Sequence, residues 1–162
     1  MLTHSMRLKY SVPQNMGAII EEGSLSSQRH ITCYNLICLN LSLAKACMCH
    51  VNERCTQILT EQQSDILKEF LSSQGSKVGL CVLGSQSKMS PWLKDHLMAH
   101  HVRLLPDMHI NTKALTWNVN FRLHDRKLVV TDENDHIRYS GRPFPDFESE
   151  YARFLLTQNF FR

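Results

Sequence analysis

Between residues 60 and 107 the chain alternates segments of helical and strand-like pattern, and that alternation limits the folds open to it. TEQQSDILKEFLSSQG, residues 60–75, sets Ile66, Leu67, Phe70 and Leu71 at helical spacing, with Ser64 able to cap and Gly75 closing the segment. KVGLCVLG predicts a short strand buried on both faces. SKMSPWLKDHLMAHH predicts a second helix. Ser90 stands at its cap and Pro91 at its first position, where a missing N–H costs nothing. VRLLPD predicts a further strand. Upstream, HITCYNLICLNLSL, residues 30–43, is apolar and free of Pro and Gly, which predicts a buried strand. AKACMCHVNERCTQILTEQQ favours a helix. The expectation is an α/β fold with a mixed or largely parallel sheet flanked by helices. Residues 1–29 form a poorly patterned N-terminal segment, and residues 30–162 form the domain.

A chain of 162 residues is long enough for one real core, and 43% hydrophobic with 20% charged residues is a globular composition. No apolar run reaches membrane-spanning length, and the start MLTHSMRLKYSVPQ lacks the apolar core of a signal peptide. The expected location is intracellular, in the cytoplasm, with the six cysteines reduced. A net charge of +3 permits a phosphate-bearing partner without requiring one. Cys47, Cys49, His50 and Cys55 lie close enough in sequence to suggest zinc, but their spacing fits no familiar finger, and buried free thiols are the commoner outcome. No cofactor is implied. His100, His101, Arg103, Asp107 and His109 read as a polar helix end entering a strand. Trp117 and Phe121 suit a core better than base stacking. The tail EYARFLLTQNFFR carries an apolar stripe of Tyr151, Phe154, Leu155 and Phe160, as a docking helix would.

The segment NFRLHDRKLVVTD, residues 120–132, threads His124, Arg126, Lys127 and Asp132 along a run that reads as a charged strand, and HIRYSG follows it with Ser140 and Gly141. This order resembles the motif of the phospholipase D superfamily, in which His and Lys precede an Asp and a hydroxyl-bearing turn. The likeness is specific over residues 123–141 and extends in layout over 30–162. The resemblance implies a phospholipase D-like fold and a metal-independent phosphodiesterase, a small nuclease or a phospholipase-like enzyme. It implies a homodimer that brings two histidines together. His124 would then be nucleophile or acid, and Lys127 would hold the phosphoryl oxygens with Arg126 as substitute. Asp132 would support the site and Ser140 would hydrogen-bond to it. The expected partner is a phosphodiester, either nucleic acid or phospholipid. The family sets its His and Lys two apart, whereas His124 and Lys127 are three apart. On a regular strand they would face opposite sides, so either a β-bulge realigns them or Arg126 replaces the Lys. LHDRKL and the pair Gly141-Arg142 also resemble the phospholipase D-like C-terminal domain of MIT-domain proteins. That likeness implies a non-catalytic module that binds anionic membrane surfaces or a partner protein. A third reading is a solvated edge strand with surface ion pairs of little energetic weight.

Overall fold

A computed structural model describes residues 8–52, 59–108, 110 and 113–147. The strands are β1 (Lys9–Ser11), β2 (Gly17–Ile20), β3 (Ser24–His30), β4 (Tyr34–Asn40), β5 (Lys45–Val51), β6 (Lys77–Val82), β7 (Arg103–Leu104), β8 (Trp117–Arg122), β9 (Lys127–Asp132) and β10 (Ile137–Gly141). Among the described residues the α-helices are α1 (Glu61–Ser72), between β5 and β6, and α2 (Pro91–Ala99), between β6 and β7.

The strands make two five-stranded mixed sheets, ordered β1-β3-β8-β9-β10 and β2-β5-β4-β6-β7. Leu25, Val119, Phe121, Leu128 and Val130 of the first sheet pack against Ile37, Leu39, Met48, Val78, Leu80 and Val82 of the second. The other face of the second sheet presents Leu36, Cys38, Cys47, Cys49 and Cys81 to Leu67, Phe70 and Leu71 of α1 and Leu93 and Leu97 of α2. The layers therefore run sheet, sheet, helices. Each fully buried Leu or Phe contributes about 1.5–3 kcal/mol of apolar transfer, and both interfaces are dense in such residues.

This architecture overturns the expected α/β fold. Both helices lie on one face of one sheet, and the strands of that sheet pair antiparallel except for β6 with β7. Two segments account for the difference. AKACMCHV holds strand β5 and not a helix. Its two faces are both buried, one by helices and one by the first sheet, so no polar alternation marks it as a strand. The run 120–132 is a hairpin of β8 and β9 turning through Leu123–Arg126, with Arg122 paired to Lys127. The N-terminal segment contributes β1, β2 and β3 to the two sheets.

Other expectations hold. β4 is buried at every position, as its largely apolar run suggests, and β6 likewise. Ser90 caps α2 by accepting from the Leu93 N–H, with Pro91 in the first turn. The α1 cap is Thr60 in place of Ser64. Thr60 Oγ1 accepts from the Gln63 N–H and Gln63 Oε1 accepts from the Thr60 N–H, a reciprocal capping box. Among the described residues no helix is long and apolar enough to cross a membrane.

Candidate active site

At one end of the interface between the sheets, four polar side chains meet in an otherwise apolar layer: Ser27, His30, Asn35 and His50, all fully buried. Ser27 follows Leu25 onto the inner face of β3 by strand alternation. His30 is three residues on and would face outward on a regular strand. The register with β8 slips between them, so that Ser27 opposes Val119 and His30 opposes Trp117. Arg29, at φ 60°, absorbs the extra residue, and Asn118 Oδ1 accepts its N–H. This bulge turns His30 back toward the interior. Asn35 of β4 and His50 of β5 are direct cross-strand partners, on the side of the second sheet that carries Ile37 and Met48. The His50 backbone is pinned by hydrogen bonds. Its N–H donates to Met16 O, and its carbonyl accepts from Asn15 N and from the side chain of Gln63 at the start of α1.

The bonding pattern fixes the imidazole tautomers. The Ser27 hydroxyl has one proton, donated to Val12 O. The 2.8 Å contact between Ser27 Oγ and His50 Nδ1 is therefore an Nδ1–H donating to the oxygen. His50 Nε2 is left with a lone pair, buried and without a partner. His30 Nδ1 lies 3.1 Å from Trp117 O and donates to it, so its Nε2 accepts from Asn35 Nδ2 at 3.2 Å. Asn35 Oδ1 is a second buried acceptor without a partner. Burial brings the His50 pKa down to about 4. Burial, with repulsion from His50, brings that of His30 down to about 3, against the opposing effect of the bond to Trp117. Both rings are neutral at pH 7.

A buried thiol lies between β3 and β4 in the chain. The chain turns at residues 31–32 after β3, and Cys33 leads directly into β4, two positions before Asn35. Cys33 is buried and stands just outside the strand, next to Tyr34. Cys38, Cys47, Cys49 and Cys81 face the helices. Burial raises the pKa of Cys38 and that of Cys81, the latter to about 12, and a thiol contact with Cys49 together with burial raises that of Cys47. These are inert protonated thiols. Cys33 has 6% of its surface exposed, the most of the five described cysteines. Ile31, just ahead of it, is 71% exposed.

The residues singled out by the charged motif do not gather. His124 is exposed on the β8–β9 turn. Lys127 opens β9 and Asp132 closes it, five residues and roughly 17 Å away along the strand. Asp132 is buried and organises the next hairpin. Its carboxylate accepts from the N–H groups of Asn134 and His136 and from Arg138, which together hold its pKa low against the effect of burial. Ser140 lies exposed on β10 opposite Val129. Arg126 stands at φ 57°, donates to Asp146 at 2.7 Å and lies over the Phe147 ring. Asp125, not expected as a site residue, anchors the turn. It accepts both side-chain bonds of Arg122 and the Lys127 N–H, which lowers its pKa to about 2.

Of the zinc candidates, Cys47 and Cys49 face the helices while His50 faces the first sheet, and Cys55 lies outside the described residues. Phe121 is core, edge-on to Phe144. His100 caps the end of α2, and Asp107 accepts from Ser85 and from the Gln86 N–H. His109 and the tail from residue 148 lie outside the described residues.

Sequence reasoning missed Ser27, His30, Cys33, Asn35 and His50 as a group. The available signal was two histidines and an asparagine inside strands otherwise fit for a core. No protein family model matches the chain, and no curated protein sequence matches it either.

Proposed function

We propose that this chain is a thiol-dependent acyl hydrolase or transferase acting on an amide or ester carbonyl, with Cys33 as nucleophile and His50 as base. The observation that supports the reading is the state of His50. Its Nδ1–H is committed to Ser27, its Nε2 lone pair is buried and unpartnered, and Cys33 lies two residues before Asn35, the cross-strand partner of His50. The thiol proton passes to Nε2 and the sulfur attacks the carbonyl carbon. The tetrahedral adduct collapses as Nε2–H protonates the departing amine or alcohol, leaving a thioester on Cys33. A water then gives its proton to Nε2 and attacks the thioester. The acid leaves, and the proton returns to the sulfur. Ser27 orients the ring throughout. A hydroxyl in this place stabilises the imidazolium less than the carboxylate of a serine-protease triad does.

Alkylation by iodoacetamide tests the reading before any substrate is known. In a Cys55→Ser background, peptide mass spectrometry is expected to find Cys33 modified at least tenfold faster than Cys38, Cys47, Cys49 and Cys81, and His50→Ala is expected to abolish that advantage. Labelling of Cys33 no faster than the other four, or unchanged by His50→Ala, would overturn it.

A second reading keeps the phosphate-bearing partner suggested by the sequence, bound and not hydrolysed. It is favoured by the crowding of Arg122, Arg126, Lys127 and Arg142 around one turn. Asp125 and Asp146 engage Arg122 and Arg126 closely, and Arg142 comes only within 4.0 Å of Asp125. Cations so placed suit a phosphate at the surface.

A further inference from the structure

The assignment of Cys33 and His50 accounts for Ser27 but leaves His30 unexplained, although the fold devotes a bulge to bringing it inward. We propose that His30 is a positioning residue that clamps the His50 ring and shields one face of it from water. The inference rests on the thiol–imidazole reading and adds a residue to it. The rings are stacked, with centroids 3.7 Å apart and planes 12° from parallel. His30 cannot rotate freely, because Trp117 O takes its Nδ1–H and Asn35 Nδ2 occupies its Nε2. A ring fixed at both nitrogens makes a rigid wall for its neighbour. His50 is thus held at its edge by Ser27 and on its face by His30, which keeps its Nε2 lone pair in one direction.

The same arrangement disfavours charge on His50. His30 fills the space on one face of the ring that water would occupy, and loss of that contact would admit solvent to the imidazolium. The groups facing His50 from each packed element are few. β3 presents the Ser27 hydroxyl and His30. β4 presents the neutral Asn35. α1 presents the neutral Gln63, and the chain before β2 presents the backbone of Asn15 and Met16. Burial is the whole cause of the shift at His50, with no contribution from a charged neighbour.

The test is the pH profile of Cys33 alkylation in the full chain, compared for wild type, His30→Ala and His30→Phe. Base function is lost when His50 takes up a proton, so the wild-type rate should fall away only near pH 4. In His30→Ala the acid limb should move up by roughly one to two pH units toward the ordinary histidine range. His30→Phe keeps an aromatic face against His50 and should restore the low limb. A generally loosened fold would lower the rate at every pH without moving the limb. If the variants do not fold, imidazole nitrogen shifts in the wild type decide the matter. His50 should be the Nδ1–H tautomer and still neutral at pH 5.5, and titration near its ordinary value would overturn the proposal. An acid limb unmoved in His30→Ala, with Cys33 selectively reactive, would refute the role of His30 alone. Absence of selective reactivity at Cys33 in the wild type would remove the thiol–imidazole reading and this one with it.

Discussion

His30 and His50 lie face to face inside the sandwich, 3.7 Å apart, with both rings neutral and hydrogen-bonded. Two buried histidines that refuse protons set how stability depends on pH. In the unfolded chain each titrates near its ordinary value of about 6.5. In the native chain His50 waits until about 4 and His30 until about 3. Between pH 6.5 and 4 the unfolded state therefore binds more protons than the native one, and stability must fall as pH falls. The loss across that window is on the order of 3 kcal/mol for each histidine, roughly 5–6 kcal/mol for the pair. Urea unfolding followed at pH 7.5, 6 and 5 should show a steadily falling midpoint. His30→Phe should flatten that slope by removing one of the two groups. A midpoint constant from pH 7.5 to 5 would contradict the neutral stacked pair.

The thiols on the helix-facing side of the second sheet should behave oppositely to Cys33. Burial holds Cys38 and Cys81 protonated far above neutral pH, and Cys47 is held so by Cys49 and by burial. At pH 8 in native buffer, a disulfide reagent such as dithionitrobenzoate should release a fast phase from Cys33. Cys38, Cys47, Cys49 and Cys81 should react only on the timescale of global opening. In urea all of them should react at once. Fast native reaction at Cys38 or Cys81 would mean that the interface between sheet and helices opens locally.

Legibility in the sequence followed local signals. Pro91 after Ser90 marks a helix start because the geometry of the first turn selects those residues wherever they occur. β4 and β6 were visible because a central strand buried on both faces is mostly apolar, with few polar residues to break the run. β5 was not, because Ala46, Met48 and His50 face one apolar layer while Cys47 and Cys49 face another, and such a segment is also acceptable as a helix. The sandwich itself depends on pairings such as Ser24 with Arg122, nearly a hundred residues apart, which no local pattern encodes. The candidate active site failed to emerge for a related reason. Ser27, His30 and His50 meet only through a bulge at Arg29 and the pairing of β3 with β8 and β4 with β5. The charged motif attracted attention because its residues are contiguous, yet the turn at Leu123–Arg126 disperses them.

Asp132 and Ser140, paired in expectation, should separate sharply in their effect on stability. The Asp132 carboxylate is buried and collects two backbone N–H groups and the Arg138 guanidinium. Asp132→Ala leaves those donors unsatisfied and should lower the urea midpoint markedly, with loss of amide protection in β9 and β10. Ser140→Ala, at an exposed position on β10, should stay within about 0.5 kcal/mol of wild type. Equal effects would mean that the β9–β10 hairpin does not depend on the Asp132 cage.

The β8–β9 turn separates phosphodiester hydrolysis from phosphate binding. Hydrolysis through a phosphohistidine would require His124 to act with Lys127, without Asp132, which is held at the far end of β9 by Arg138. Binding requires only the cations. With bis(p-nitrophenyl) phosphate in EDTA, wild type and His124→Ala should be equally inactive. Binding to vesicles containing an anionic phospholipid should weaken with salt and should drop about three- to tenfold in a Lys127→Ala, Arg142→Ala double variant, since each basic residue near such a surface contributes about 1 kcal/mol. Chelator-resistant hydrolysis that vanishes in His124→Ala would restore the catalytic role of that histidine. Vesicle binding unchanged by the double variant would remove the turn as an anion site and leave the interior thiol–imidazole cluster as the chemistry to pursue.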